Sequence, residues 1–161
     1  VIALDEEIGS AMMIGELSWH RTSVGAESAT FSNFNIYLGH GANDELGTVF
    51  DDNYIEGTKT LVYSAPSQTV HAEAEGWFDL SLDTPFEYNG TDNLIMEIQW
   101  AGGSGTFYTY KWATGTSRCL TAANPSLPSG TLSTSMCQFG IDAVLSLRPV
   151  TFGAIKSFFA Q

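Results

Sequence analysis

The chain has 161 residues, the size of one domain, with 6 Lys+Arg against 18 Asp+Glu and a net charge of -12. That balance excludes a nucleic-acid binder, which needs a cationic surface to displace counterions from phosphate, and an anionic membrane would repel it. Charged residues make up only 15% of the chain, below the ~25% of an average soluble domain, and Gly, Ser, Thr and Asn fill the gap as they do in short strands joined by polar turns, a composition common in exported proteins.

Along the chain, period-2 alternation dominates. Met12–Trp19 is the first strand candidate. Phe34, Ile36 and Leu38 alternate with Asn33, Asn35 and Tyr37, and a shorter strand candidate covers Thr58–Ser64. Phe78, Leu80 and Leu82 alternate with Asp79 and Ser81; Leu94, Met96, Ile98 and Trp100 alternate with Glu97 and Gln99. Phe107–Ala113 is another short candidate, and Ile141, Ala143, Leu145 and Leu147 close the series. Each pattern places apolar side chains on one face of a half-buried strand. Turn signals separate the strands at Gly39-His40-Gly41, Asn43-Asp44-Glu45, Asp51-Asp52-Asn53, Asn89-Gly90 and Gly102-Gly103-Ser104-Gly105. Roughly eight to ten strands at this spacing predict an all-β, two-sheet antiparallel sandwich, jelly-roll or immunoglobulin-like. The domain is expected over 1–148. After Arg148-Pro149 comes an apolar tail, 149–161, that reads as a helical turn or a strand. No stretch is long and apolar enough to span a bilayer as a helix.

Two cysteines, Cys119 and Cys137, lie in strand-like stretches on either side of a loop rich in Pro, Ser and Gly. No CxxC or Cys/His spacing points to zinc. Two buried thiols are one reading. One disulfide is the expectation, and it carries an oxidising compartment with it.

His20, His40 and His71 are scattered, without the spacing of a metal or nucleophile site. Ser104 belongs to a Gly-rich turn and not to a nucleophile elbow, because residue 106 is Thr. No catalytic residue is assigned and no enzyme is expected. The acidic stretch 43–56 carries Asp44, Glu45, Asp51, Asp52 and Glu56. Such a loop can offer calcium its ~6–8 oxygens, but the EF-hand spacing is absent and a solvated loop is the plainer reading. No other cofactor is expected. Tyr108, Tyr110 and Trp112 fall on one face of a strand. Exposed, they form a strip on which sugar rings stack; turned inward, they are core, with Phe107 and Lys111 outside. Trp19, Trp77 and Trp100 read as core or strand-edge residues.

Several phrases stand in a recognisable order: Phe34-Asn35-Ile36-Tyr37-Leu38-Gly39, Asp44-Glu45-Leu46-Gly47, Phe50-Asp51-Asp52-Asn53-Tyr54, Thr60-Leu61-Val62-Tyr63, Gly76-Trp77-Phe78-Asp79-Leu80, Leu82 to Gly90, and Asp92 to Ile98. Over about residues 8 to 148 this order resembles β-sandwich modules that recur in large secreted and surface proteins of bacteria. The resemblance implies an extracellular sandwich and no reaction. Against such modules the chain begins late and ends late, which implies an open edge near Val1–Leu4 and a spare segment after Leu147.

Two functions follow as expectations. The first is a structural subunit outside the cell that joins copies of itself head-to-tail, into a filament, by strand addition. Val150, Phe152, Ala154, Ile155, Phe158 and Phe159 would fill the neighbour's groove. The second is a carbohydrate-binding or adhesion module, resting on the aromatic strip and the acidic loop.

Overall fold

The structure is a computed structural model and describes residues 1–144. The tail with its six expected assembly residues, and the expected core positions Leu145 and Leu147, lie outside the described residues.

The fold is all-β and antiparallel, built as two main sheets packed face to face. Sheet one runs β1 (Ile2–Ala3), β6 (Asn93–Gln99), β3 (Ser28–Gly41) and β4 (Thr60–His71), with β7 (Gly102–Ser104) also paired to β3. Sheet two runs β13 (Phe139–Ala143), β2 (Met12–Gly25) and β5 (Trp77–Tyr88), with β8 (Phe107–Thr109) also paired to β2. Two small two-stranded sheets stand apart: β9 (Lys111–Ala113) with β12 (Ser135–Cys137), and β10 (Cys119–Thr121) with β11 (Thr131–Ser133). Ser104 is therefore a strand residue opposite Thr30, where a turn is expected from its glycines.

The alternation explains the packing. Leu17, Trp19, Leu80 and Phe86 of sheet two meet Phe34, Ile36, Leu38, Val62, Leu94 and Met96 of sheet one in one buried cluster. Each such side chain contributes roughly 1.5–3 kcal/mol through burial. Phe78, Leu82, Ile98 and Ile141 pack against this cluster while only partly buried. Ala143, expected in the core, is exposed. It ends an edge strand, and the β13–β2 register shifts between Asp142 and Ala143, so the inward alternation breaks there.

A second cluster covers the outer side of sheet one. Leu46, Ile2, Ile95 and Leu120 are buried together, with Phe50, Tyr54 and Leu132 against them. Strand β6 is thus buried on both faces, and Glu97 is buried with it. Its carboxylate accepts hydrogen bonds from the Tyr54 hydroxyl at 3.1 Å and from Gln99, and pairs with Lys59 at 3.0 Å. The Lys59 ammonium also meets Asp51 at 2.7 Å and stands 5.0 Å from the ring centres of both Tyr37 and Tyr54. Burial opposes the charge on Lys59, but the two carboxylates outweigh it and its pKa lies above the ordinary lysine value. Burial, with Glu97 beside it, pushes the Tyr54 hydroxyl up. Gly39 makes the approach feasible, because a Cβ there would sit 2.5 Å from the Tyr54 ring.

The edge expected to be open near Val1–Leu4 is closed. The Ile2 amide donates to the Arg118 carbonyl at 3.0 Å, and the Arg118 guanidinium donates to the Ile2 carbonyl at 3.2 and 3.1 Å. The same guanidinium grips both oxygens of Glu7, in the single helical turn Asp5–Ile8. The hydrogen bond from Arg118 holds the Glu7 carboxyl below its ordinary value.

Glu97→Gln should lower stability by about 1–3 kcal/mol in chemical unfolding, because Lys59 then loses its inner counter-charge. Glu7 supplies a pH test. A depressed carboxyl stabilises the fold fully above the ordinary glutamate value of 4.5 and loses that effect as pH falls through its lowered value. Below about pH 4.5, Glu7→Gln should therefore show a shallower loss of melting temperature than the parent chain.

Candidate functional site

The second layer covers the outer face of sheet one at β6, and the outer face of sheet two carries no such layer among the described residues. Three rows cross β13, β2 and β5: Asp142–Glu16–Ser81, then Gly140–Ser18–Asp79, then Gln138–His20–Trp77. These positions alternate with the inward Leu17, Trp19, Phe78 and Leu80, so the pleat itself turns them outward, although Ser18 in the central row is buried beneath its neighbours.

An aromatic column rises from the third row. The His20 and Trp77 rings stack with centroids 4.7 Å apart and planes within 5°. Tyr110 lies against His20 at 4.6 Å and 41°. The imidazole is fixed at both nitrogens: Nδ1 is 2.8 Å from the Gln138 side-chain oxygen, and Nε2 is 3.0 Å from the Glu75 carbonyl oxygen. The Glu75 carboxylate accepts a hydrogen bond from the Tyr110 hydroxyl at 3.1 Å, and that bond raises the Tyr110 pKa. Glu75 reaches this position at φ +60°, in the tight turn that precedes β5. A side chain in that conformation is strained, and its own bonds to the column hold it.

Trp77 is 46% exposed although His20 covers one of its faces. Its far edge reaches over β2, and a Cβ built on Gly140 would lie 3.8 Å from its ring and 2.5 Å from the Ser18 hydroxyl. The exposed part of the indole lies on the face that also carries the Glu16, Asp79 and Asp142 carboxylates. Ser81 donates to Glu16 at 3.2 Å there. No lysine or arginine occupies any of the nine positions.

The expected strip of Tyr108, Tyr110 and Trp112 is not one strand. Phe107–Ala113 breaks at Tyr110, where the chain leaves β2 for β12, so β8 and β9 belong to different sheets. Tyr108 and Trp112 are nonetheless exposed, at 52% and 46%, and Tyr110 joins the column. Sequence alternation missed Trp77 and His20 as site residues. Their signal was register: the two lie directly opposite across β2 and β5.

The expected calcium ligands do not converge. Asp44 accepts from Asn93 at 3.0 Å, Glu45 from the Ser117 amide at 3.3 Å, and Asp51 is paired with Lys59. Asp52 is exposed in the 51–53 turn. Among the described residues no group of three or more His, Cys, Asp or Glu side chains is placed to hold a metal. The other histidines are dispersed: His40 meets the Asn89 amide at 3.3 Å and His71 meets Ser28 at 2.7 Å. Cys119 and Cys137 are free thiols, both half-buried, and the expected bridge is not formed. Their strands are not partners: Cys119 stands opposite Ser133 and Cys137 opposite Lys111. No helix among the described residues is long and apolar enough to cross a membrane.

Comparison with protein families, with curated proteins and with solved structures finds no match to this chain.

Gly140→Val should displace the Trp77 ring, since the added carbons enter the space between Ser18 and the indole. Tryptophan emission should shift to the red, and the shift should vanish in a Trp77→Phe background. An unchanged spectrum would show that the ring does not rest there.

Proposed function

We propose that this chain is a non-enzymatic extracellular binding module that holds a neutral or amino-bearing sugar ring against the free face of Trp77. The carrying observation is a tryptophan left half-exposed while His20 and Tyr110 fix its orientation from behind. A pyranose presents a face of C–H groups to such a ring, and its hydroxyls need acceptors alongside. Glu16, Asp79 and Asp142 supply them, and with no cation among the nine positions the face disfavours sulfated or uronic glycans. The stack also reduces what binding must immobilise, because the indole is already ordered.

The wider expectation, a β-sandwich module of a bacterial secreted or surface protein, is part of this reading. So is an oxidising exterior. The alternative, a structural subunit that assembles by strand addition, has less support among the described edges. Strand β4 carries Pro66, and β5 carries Pro85 with Asp79, Asp83 and Glu87, features that blunt edge pairing. Strand β1 has two residues and Arg118 along its outer side.

Retention on insoluble cellulose, chitin and xylan, followed by calorimetry with the matching oligosaccharides, tests the reading. Trp77→Ala should weaken binding about tenfold, the equivalent of ~1.4 kcal/mol. Trp100→Ala, on sheet one, should leave binding unchanged. A chain that no neutral or amino polysaccharide retains, or a Trp77→Ala variant that binds as the parent does, would sink the proposal.

A further inference from the structure

The two thiols lie on the two small sheets, β10–β11 and β9–β12, and face a common groove. Cys119 and Cys137 both line one open groove of about 690 Å³ between β6 and the small C-terminal sheets. Between their strands the chain is continuous: β11 ends at Ser133, Thr134 follows, and β12 begins at Ser135. Hydrogen bonds tighten that passage, with the Ser133 hydroxyl accepting from the Ser135 amide at 3.1 Å. The small sheets β10–β11 and β12–β9 have no strand pairing to each other among the described residues.

We propose that Cys119 and Cys137 are a redox-responsive pair that closes into a disulfide on meeting a low-molecular-weight disulfide, tying β10 to β12 across the groove. The proposal stands apart from the sugar-binding reading, since neither residue touches the column. The exchange balances as two steps. The Cys119 thiol loses its proton, and the thiolate attacks one sulfur of the small disulfide, expelling one small thiolate. The Cys137 thiol then loses its proton and attacks Cys119 in the mixed disulfide, expelling the second. Two protein thiols are oxidised and one small disulfide is reduced to two thiols, which carry away the two protons. Burial pushes the Cys137 thiol up, which suits it to the later, resolving step. The groove gives the small disulfide access to both half-buried sulfurs.

The experiment uses the full chain, reduced and then incubated with oxidised glutathione, quenched with acid and alkylated under denaturing conditions. Intact mass should show the loss of two hydrogens, no alkyl group and no retained glutathione. A proteolytic peptide pair joined through Cys119 and Cys137 should appear. The oxidised chain should melt roughly 5–10 °C above the reduced chain. Cys137→Ser should stop at a mixed disulfide on Cys119, and Cys137→Ala serves if the serine variant does not fold. Two alkylatable thiols after oxidation, or glutathione retained on the unmutated chain, would overturn the proposal.

Discussion

A carboxylate nearly excluded from water must be neutralised where it stands, and much of this fold follows from how Glu97 is neutralised. Lys59 and Tyr54 both reach it from the segment between β3 and β4. Neither can do so unless that segment folds back over sheet one, and Leu46 and Phe50 bury themselves there as it does. Gly39 leaves the space the Tyr54 ring occupies. The polar lock and the apolar cluster therefore support each other. The lock alone contributes little net stability, since the desolvation of two charges offsets their attraction. Its effect is to fix where the segment lies, and the apolar burial stabilises it there.

That arrangement decides which surface is free. Sheet one is sandwiched between sheet two and the 42–59 segment with β10–β11. Among the described residues, sheet two carries no such second layer, and outward positions of three adjacent strands stand together on it. The acidic balance of the chain acts on the same face. Asp79 and Glu87 are exposed on β5, and Asp83 accepts from the Ser64 amide of β4 at 3.1 Å, on an edge strand whose backbone would otherwise offer a template to another chain. With net charge -12, copies of the domain repel at low salt, and a neutral ligand meets no such barrier.

How much of this is legible in the sequence depends on how local the cause is. The alternation of Phe34, Ile36 and Leu38, or of Leu94 and Met96, is a property of neighbouring residues, and those positions are buried as expected. The double burial of β6 is not local. Ile95 and Glu97 occupy the polar phase of its pattern, and what covers them comes from 42–59 and from β10–β11. The extension of β2 from Trp19 to Gly25 passes through polar residues whose pairing is supplied by β5 and β8. The break at Tyr110 likewise arises because two different sheets claim the two halves of one alternating stretch. The aromatic column needs register above all. His20 and Trp77 are 57 residues apart by their numbering, and nothing in either neighbourhood marks them as partners.

Buried positions in both sheets obey the rules of strand packing, yet three unfavourable choices meet on the outer face of sheet two. Glu75 holds a positive φ that a glycine would adopt without strain. Trp77 leaves nearly half its surface in water. Asp142 and Glu16 stand directly opposite each other across β13 and β2, where like charges destabilise the pair. Each choice taken singly is tolerable on a surface. They converge on and beside three adjacent rows, around a ring held by stacking on His20, and under the proposed sugar-binding reading a ligand would add the contacts that these residues lack in the free chain. Substitutions that relieve them, such as glycine at 75 or a neutral residue at 142, should stabilise the fold and, under the proposed reading, weaken binding.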